Sequence, residues 1–222
     1  MRAVSLSQQG SRSEYNEDAC LALPSLGVFI VADGVGGGPS GHEASRTVVN
    51  SLYESLLEGQ IADEVFLHDA VGTANAAVYE KAEKQGLKGM ASTLVMAWKT
   101  DDTLYCFNVG DSRIYRLRGG ELLQLTTDHT TKVVRRSKEK MVVTRAMGVK
   151  AEVDAELTTW DWNDADVLLL MSDGISDPLT DNEIQETISQ QKVSMADKAK
   201  LLISQSIARG CEDDKTVVLA FG

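Results

Sequence analysis

Cysteine is scarce in this sequence. The three cysteines, Cys20, Cys106 and Cys211, are an odd number and form no Cys-x-x-Cys pair. This pattern excludes a disulfide framework and a cysteine-based zinc cluster. Because unpaired cysteines are typical of reducing compartments, we expect a cytoplasmic location.

Proline-rich linkers, internal repeats and low-complexity tracts are also missing. The three prolines, Pro24, Pro39 and Pro178, all lie beside other turn-forming residues. A chain of 222 residues can bury a sizeable core within one domain. We therefore predict a single domain over residues 1–222.

Basic charge and long apolar runs are scarce as well. The chain carries 22 Lys and Arg against 33 Asp and Glu, which gives a formal net charge of −11. Such an acidic chain is poorly suited to bind nucleic acid or an anionic membrane surface. No segment approaches the roughly 20 apolar residues of a membrane-spanning helix, and the first residues do not resemble a signal peptide. We therefore expect neither a nucleic acid nor a membrane as a partner.

What the chain does contain is a block of strand patterns between paired helix patterns. Apolar periodicity predicts helices over 41–57 and 61–83, and capping patterns at Thr180 and Ser194 predict two more. The Gly-Gly pair within 118–121 predicts a hairpin. This grouping favours antiparallel sheets covered by helices over an alternating parallel fold. The predicted strands are 27–33, 92–99, 103–109, 113–117, 167–171 and 216–220.

The most informative acidic residues lie at the ends of predicted strands, often beside glycine. An Asp in this position can place its carboxylate in a cleft, while a following glycine lets the backbone offer its carbonyl to a ligand. Carboxylate and carbonyl oxygens suit Mg²⁺ or Mn²⁺, and clustered carboxylates repel one another without a cation. Asp-Gly is also a common turn dipeptide, so this pattern alone leaves a simple turn as an alternative. The acidic residues are Glu17, Asp18, Asp33, Asp111, Asp173 and Asp213.

Several other catalytic motifs are excluded. The glycine-rich segment 33–40 lacks the Lys-Ser/Thr ending of a phosphate loop and the spacing of a dinucleotide-binding loop. His42-Glu43 is not followed by the second histidine of a zinc protease, because Arg46 stands at that position. A Ser-His-Asp triad has no Gly-x-Ser-x-Gly motif to support it.

Taken in order, the motifs resemble those of the metal-dependent serine/threonine protein phosphatases, the PPM or type 2C family, over almost the whole chain. The resemblance implies an α+β fold, a four-layer αββα sandwich of two antiparallel sheets flanked by helix pairs. The matching motifs are Asn16-Glu17-Asp18, Asp33-Gly34-Val35-Gly36-Gly37, Ser92-Thr93, Gly110-Asp111-Ser112-Arg113, Thr144-Arg145-Ala146-Met147-Gly148, Ser172-Asp173-Gly174 and Asp213-Asp214-Lys215-Thr216.

The resemblance also implies a centre of two Mn²⁺ or Mg²⁺ ions. Asp33 would bridge the ions, Gly34 would offer its carbonyl, and Asp173 and Asp213 would complete the protein ligands. Asp33 and Asp173 would thereby hold the nucleophilic water.

Three further positions have supporting roles in the resemblance. Glu17 and Asp18 would hold metal-bound waters or lie just outside the ligands. Asp111, together with Asp173, corresponds to a third, weaker metal site of bacterial members. Arg12 would bind the substrate phosphate, because a guanidinium can grip two phosphate oxygens.

The sequence departs from the family pattern at three places. Arg12 is one residue farther from the acidic pair than usual, and Val35 replaces a histidine proposed as general acid in eukaryotic members. The flap segment between His129 and Thr144 is shorter than in bacterial relatives. We predict that it is a basic loop, which either steers phosphorylated substrates or is simply solvated. Its basic residues are Lys132, Arg135, Arg136, Lys138 and Lys140.

The expected function is hydrolysis of phosphoserine and phosphothreonine in proteins by a monomer, opposed by a serine/threonine kinase of the same cell. Two alternatives remain open: a phospho-binding or regulatory module without catalysis, and a phosphatase of small phosphorylated metabolites. Two further residues are predicted not to bind metal. His129 would hold a turn, and Asp214 would be exposed or lie outside the ligands.

Overall fold

The computed structural model describes residues 1–35, 39–58, 63–135 and 138–222, excluding the side chains of residues 39, 58, 135 and 138. Its first half contains β1 (Arg2–Gln8), β2 (Asp18–Leu23), β3 (Val28–Val35), α1 (Pro39–Glu58), α2 (Glu64–Gln85), β4 (Ala91–Ser92), β5 (Leu94–Lys99) and β6 (Thr103–Val109). Its second half contains β7 (Arg113–Arg118), β8 (Glu121–Gln124), β9 (Thr130–Arg135), β10 (Lys138–Val143), β11 (Glu156–Asp161), β12 (Val167–Met171), α3 (Asp173–Ser176), α4 (Asp181–Ser189), α5 (Met195–Ala208) and β13 (Lys215–Phe221).

The strands form two antiparallel sheets and one separate hairpin. The first sheet has the order β1-β13-β12-β7-β8, and the second has the order β11-β6-β5-β3-β2, with β4 added to β3. The hairpin consists of β9 and β10. The two ends of the chain meet in one sheet, because β1 pairs with β13 from Arg2↔Phe221 to Gln8↔Lys215.

Alternating side chains on the strands build three apolar layers, as expected for sheets covered on both faces. On β3, Ile30 faces the layer beneath α1 and α2, whereas Val31 faces the layer between the sheets. On β13, Val218 lies between the sheets, and Leu219 packs beneath α4 and α5. The order helix, sheet, sheet, helix confirms the predicted four-layer αββα fold.

The predicted helices are confirmed, with shifted bounds. Asp63 caps the start of α2 by accepting a hydrogen bond from Phe66 N, and Gly86 ends that helix in the left-handed region at φ 66°. Residue 61, the predicted start, lies outside the described residues. Thr180 forms the expected capping box with Glu183, and Ser194 caps α5.

The prediction that the flap segment between His129 and Thr144 is a loop is wrong. In the described part of this segment, β9 and β10 pair as antiparallel strands, with Thr130 opposite Val143 and Val134 opposite Glu139. Lys132 and Glu139 form an ion pair of 2.5 Å across the strands, so the segment is not uniformly basic. Arg136 lies outside the described residues.

In the described ranges, no helix has an apolar stretch long enough to cross a membrane.

Candidate metal centre

The predicted acidic residues come together where the two sheets meet. Asp18 on β2 lies directly opposite Asp33 on β3 in the second sheet. From the first sheet, β12 leads into Asp173 at the start of α3, and the turn before β13 carries Asp213. Each Asp therefore stands at or near a strand end, as the sequence predicted.

Burial and mutual repulsion make these carboxylates costly to ionise. Burial raises the pKa of Asp33 well above its usual value, and the charges of Asp18 and Asp173 raise it further. The pKa of Asp18 is raised to about 7 by burial, although Ser172 Oγ donates a hydrogen bond of 2.8 Å to its Oδ2. Burial and then Asp213 raise the pKa of Asp173 to about 6. A raised pKa means that the folded protein favours the protonated acid more than water does, so a bound cation would stabilise the ionised form of these groups.

Counting only the described residues as partners, three buried carboxylate oxygens in this cluster have no hydrogen-bond partner. They are Glu17 Oε1, Asp18 Oδ1 and Asp173 Oδ1. Buried polar atoms are normally paired, so a group of unpaired oxygens indicates a missing partner. The pKa of Glu17 is also raised, mainly by burial. The donor set, all oxygen, fits Mn²⁺ or Mg²⁺.

Glycine at position 41 keeps space open beside two of the oxygens. A Cβ added to Gly41 would lie 2.7 Å from Glu17 Oε1 and 2.9 Å from the carbonyl oxygen of Gly34. The two oxygens therefore border a common space that any larger residue would fill. This places the Gly34 carbonyl beside the acidic cluster, as predicted from the Asp33-Gly34 pair.

The cluster is not arranged as a closed cage. In the described ranges, no three acidic, histidine or cysteine side chains converge closely enough to hold an ion as they stand. Asp33 is within hydrogen-bonding reach of Asp173, and Arg12 forms an ion pair with Asp213. The ion pair with Arg12 thus competes with a metal ion for Asp213.

Asp111 lies beside the same cluster, in the turn between β6 and β7. Its pKa is raised to about 7 by burial, then by the charges of Asp173 and Asp177. Asp177, directly after α3, was not predicted; its side chain is 64% exposed, and its charge raises the pKa of both Asp111 and Asp173. The Asp111 turn is held by His129, whose Nδ1 accepts a hydrogen bond of 3.2 Å from Gly110 N. His129 thus has the turn-holding contact expected of it.

Of the two placements predicted for Asp214, exposed or outside the ligands, the exposed one is wrong. It is 4% exposed, and its two oxygens accept hydrogen bonds from Gly10 N at 2.7 Å and from Glu17 N at 2.6 Å. Both partners are donors, so the position requires two acceptor oxygens. Asp214 therefore ties the segment that carries Arg12 and Glu17 to the Asp213 turn.

Lys215 is a second neighbour that the sequence did not reveal. It is 2% exposed, and its ammonium group donates to the carbonyl oxygen of Asp213. Its Cγ would lie 3.4 Å from a Cβ built on Gly174. Lys215 thus braces the turn that presents Asp213 to the cluster.

We expect Asp214→Asn to destabilise the protein by about 1–3 kcal/mol, because the amide NH₂ replaces one acceptor and leaves a buried backbone N–H unpaired. Denaturant unfolding measures this change. Asp164→Asn, at a side chain that is 91% exposed, is the matched control and should change stability by less than about 0.5 kcal/mol. Equal stability of the two variants would contradict the positioning role of Asp214.

Comparison with known proteins agrees with this geometry. The family described as Protein phosphatase 2C matches residues 8–209. The chain is 33% identical over 210 residues to the serine/threonine phosphatase stp of Listeria monocytogenes, covering 86% of this chain and 83% of the relative. The chain therefore belongs to the protein phosphatase 2C family.

Solved structures show the same fold. The serine/threonine phosphatase PstP of Mycobacterium tuberculosis is 31% identical and superposes with a TM-score of 0.86, over 98% of this chain and 97% of that one. A crystal structure of the PstP catalytic domain in complex with two manganese ions is also 31% identical, with a TM-score of 0.84 over 98% of this chain and 96% of that one.

Proposed function

We propose that this chain is a metal-dependent protein phosphatase that hydrolyses phosphoserine and phosphothreonine in proteins. The observation that carries the proposal is the buried cluster of carboxylates with three unpartnered oxygens. Its family relatives are named serine/threonine phosphatases, and the PstP catalytic domain binds two manganese ions. Opposition by a serine/threonine kinase, action as a monomer and a cytoplasmic location belong to the same proposal.

Each residue of the cluster has a role in this proposal. Asp33, the Gly34 carbonyl, Asp173 and Asp213 would hold two Mn²⁺ or Mg²⁺ ions. When bound, such ions lower the pKa of a coordinated water and neutralise charge on the phosphoryl oxygens. Asp33 and Asp173 would thereby position the nucleophilic water for attack on phosphorus.

The residues around these ligands would tune the site. Glu17 and Asp18 would accept hydrogen bonds from waters of the centre, and Asp111 would share a third, weaker ion with Asp173. Val35 has no proton to give, so the leaving alkoxide would be protonated by a water of the centre or by another group rather than by the residue after Gly34.

The test is a substrate panel with the Mn²⁺-loaded protein. We expect hydrolysis of phosphoserine and phosphothreonine peptides, little hydrolysis of phosphotyrosine peptides, and activity on a generic aryl phosphate. If small phosphorylated metabolites were hydrolysed far better than every peptide, the protein would be a metabolite phosphatase. If metal bound but nothing was hydrolysed, it would be a phospho-binding or regulatory module.

Metal binding should also raise the thermal stability of the protein. Mn²⁺ at about 100 times its Kd should stabilise the fold by about 2.7 kcal/mol, which corresponds to a rise in Tm of about 5 °C or more for a chain of this size. Excess chelator should reverse the shift in a thermal unfolding experiment. A Tm that is the same with Mn²⁺ and with chelator would contradict a metal centre.

Arg12 would bind the substrate phosphate in this proposal. Its side chain is 63% exposed and pairs with Asp213, so it borders both solvent and the proposed ions. Arg12→Ala should raise KM for a phosphopeptide by about tenfold or more, because a charge-assisted pair of hydrogen bonds is lost. In Arg12→Lys, KM should rise less than in Arg12→Ala, because lysine keeps the positive charge but lacks the planar guanidinium that binds two phosphate oxygens. An unchanged KM in Arg12→Ala would remove this residue from the site.

A further inference from the structure

A groove of about 380 Å³ has Val35, the residue after Gly34, in its lining. Val35 and Ala91, which pair with each other on β3 and β4, both line it. The residue before Val35 is Gly34, whose carbonyl oxygen borders the acidic cluster. Among the described residues, the groove lining thus comes within one residue of the Gly34 carbonyl, although none of the acidic residues is part of that lining.

The walls of the groove are mainly apolar. Tyr79 comes from α2, Leu87 and Met90 come from the segment after α2, and Val149 comes from the segment after β10. Tyr79 and Leu87 are half-buried, whereas Val149 is 59% exposed. Apolar side chains left accessible in a concave surface are typical of binding sites.

The charged residues on the groove do not form an anion site. Glu83, Lys88 and Arg145 line it with both signs of charge, and Arg145 forms an ion pair of 3.3 Å with Asp154. A free anionic metabolite would gain little from this surface in a chain of net charge −11. An uncharged apolar side chain would gain the full benefit of burial there.

We propose that this groove binds an apolar side chain of the phosphoprotein substrate, on a residue close in sequence to the phosphorylated one. The proposal rests on the function proposed above and names its substrate class more closely. Leu87, Tyr79 and Val149 are then specificity determinants, because they contact the substrate beside the reacting group. A pocket of this kind discriminates by about tenfold or more between an apolar side chain and a polar one of similar size.

The experiment measures kcat/KM of the Mn²⁺-loaded protein on phosphothreonine peptides. Each peptide carries either leucine or its polar near-isostere asparagine at one position flanking the phosphothreonine. The ratio of the two values cancels any general loss of activity. We expect the wild type to prefer leucine at one flanking position by at least about tenfold.

Three exposed valines provide matched variants. Val149→Ser should bring the leucine-to-asparagine ratio close to one. Val65→Ser, at a valine on α2 that is 60% exposed, should leave the ratio unchanged. Val134→Ser tests the β9–β10 hairpin, where that valine is 63% exposed, and should also leave the ratio unchanged. The Tm of each variant is measured alongside, so that loss of folding is recognised.

Distinct results overturn the proposal. Equal hydrolysis of leucine and asparagine peptides at every flanking position would contradict only the proposal that the groove binds an apolar side chain. The phosphatase function would stand. A ratio that falls in Val134→Ser but not in Val149→Ser would assign the preference to the hairpin. Hydrolysis of an aryl phosphate but of no phosphopeptide would overturn the protein substrate itself, and the groove proposal with it.

Discussion

Asp173→Asn should lower kcat/KM for a phosphothreonine peptide by at least about 10³-fold. Asp173 is half-buried at the start of α3, and it is within reach of Asp33 and close to Asp213. An amide is a weaker ligand than a carboxylate and carries no charge, so the variant loses stabilisation that divalent ions supply to the transition state. That stabilisation amounts to several kcal/mol, and each 1.4 kcal/mol corresponds to about a factor of ten in rate.

Although the activity of Asp173→Asn should fall, its thermal stability without metal should not. Without metal, Asp173→Asn removes one acid from a group whose charges repel one another, so its Tm at pH 8 should equal or exceed that of the wild type. The Tm rise on addition of Mn²⁺ should be smaller in the variant. Asp164→Asn, on the surface, should retain wild-type activity. Activity in Asp173→Asn within threefold of the wild type would remove Asp173 from the metal ligands.

Gly174→Ala should unfold the protein at a markedly lower temperature. A Cβ at Gly174 would lie 1.8 Å from the carbonyl oxygen of Asp214, which is backbone and cannot rotate away. Ser206 Oγ also holds the Gly174 carbonyl at 2.5 Å, which fixes α3 from its other side. We expect destabilisation of about 3 kcal/mol or more, which lowers the Tm by about 6–12 °C in a chain of this size.

Gly72→Ala is the control for this substitution. Gly72 lies within α2, and no heavy atom lies within 4 Å of an added Cβ. Alanine there should raise stability by up to about 1 kcal/mol, because glycine is a poor helix former. Thermal unfolding of both variants gives the comparison. If Gly174→Ala were as stable as Gly72→Ala, the close packing between α3 and the Asp213 turn would be wrong.

The convergence of the acidic residues could be predicted from the sequence because its signals are local. An Asp followed by Gly at the end of an apolar run is visible within a few residues, as at Asp33-Gly34 and Asp173-Gly174. The runs themselves reflect burial on both faces, which β3 shows from Val28 to Ala32. The order of the acidic motifs along the chain then indicated the family and, through it, the fold.

The features that the sequence did not predict depend on contacts between distant residues, or lie in segments with few apolar residues. β11 alternates half-buried and exposed residues at a sheet edge, and only Leu157 and Trp160 are large and apolar in it, so its pattern resembles a loop. The partners of Asp214 lie 204 and 197 residues away along the chain. Nothing near Asp214 in the sequence shows that two backbone N–H groups meet it. The basic residues of 132–140 likewise concealed a hairpin, because charged side chains on a two-stranded ribbon give no core-facing pattern.

The most direct test of a metal-dependent protein phosphatase is a titration of Mn²⁺ into metal-stripped protein. Phosphate release from one phosphothreonine peptide is followed together with the number of bound ions. The account predicts no release without metal and a rise in activity only as about two ions bind per chain. Full activity in the stripped protein with excess chelator would contradict it.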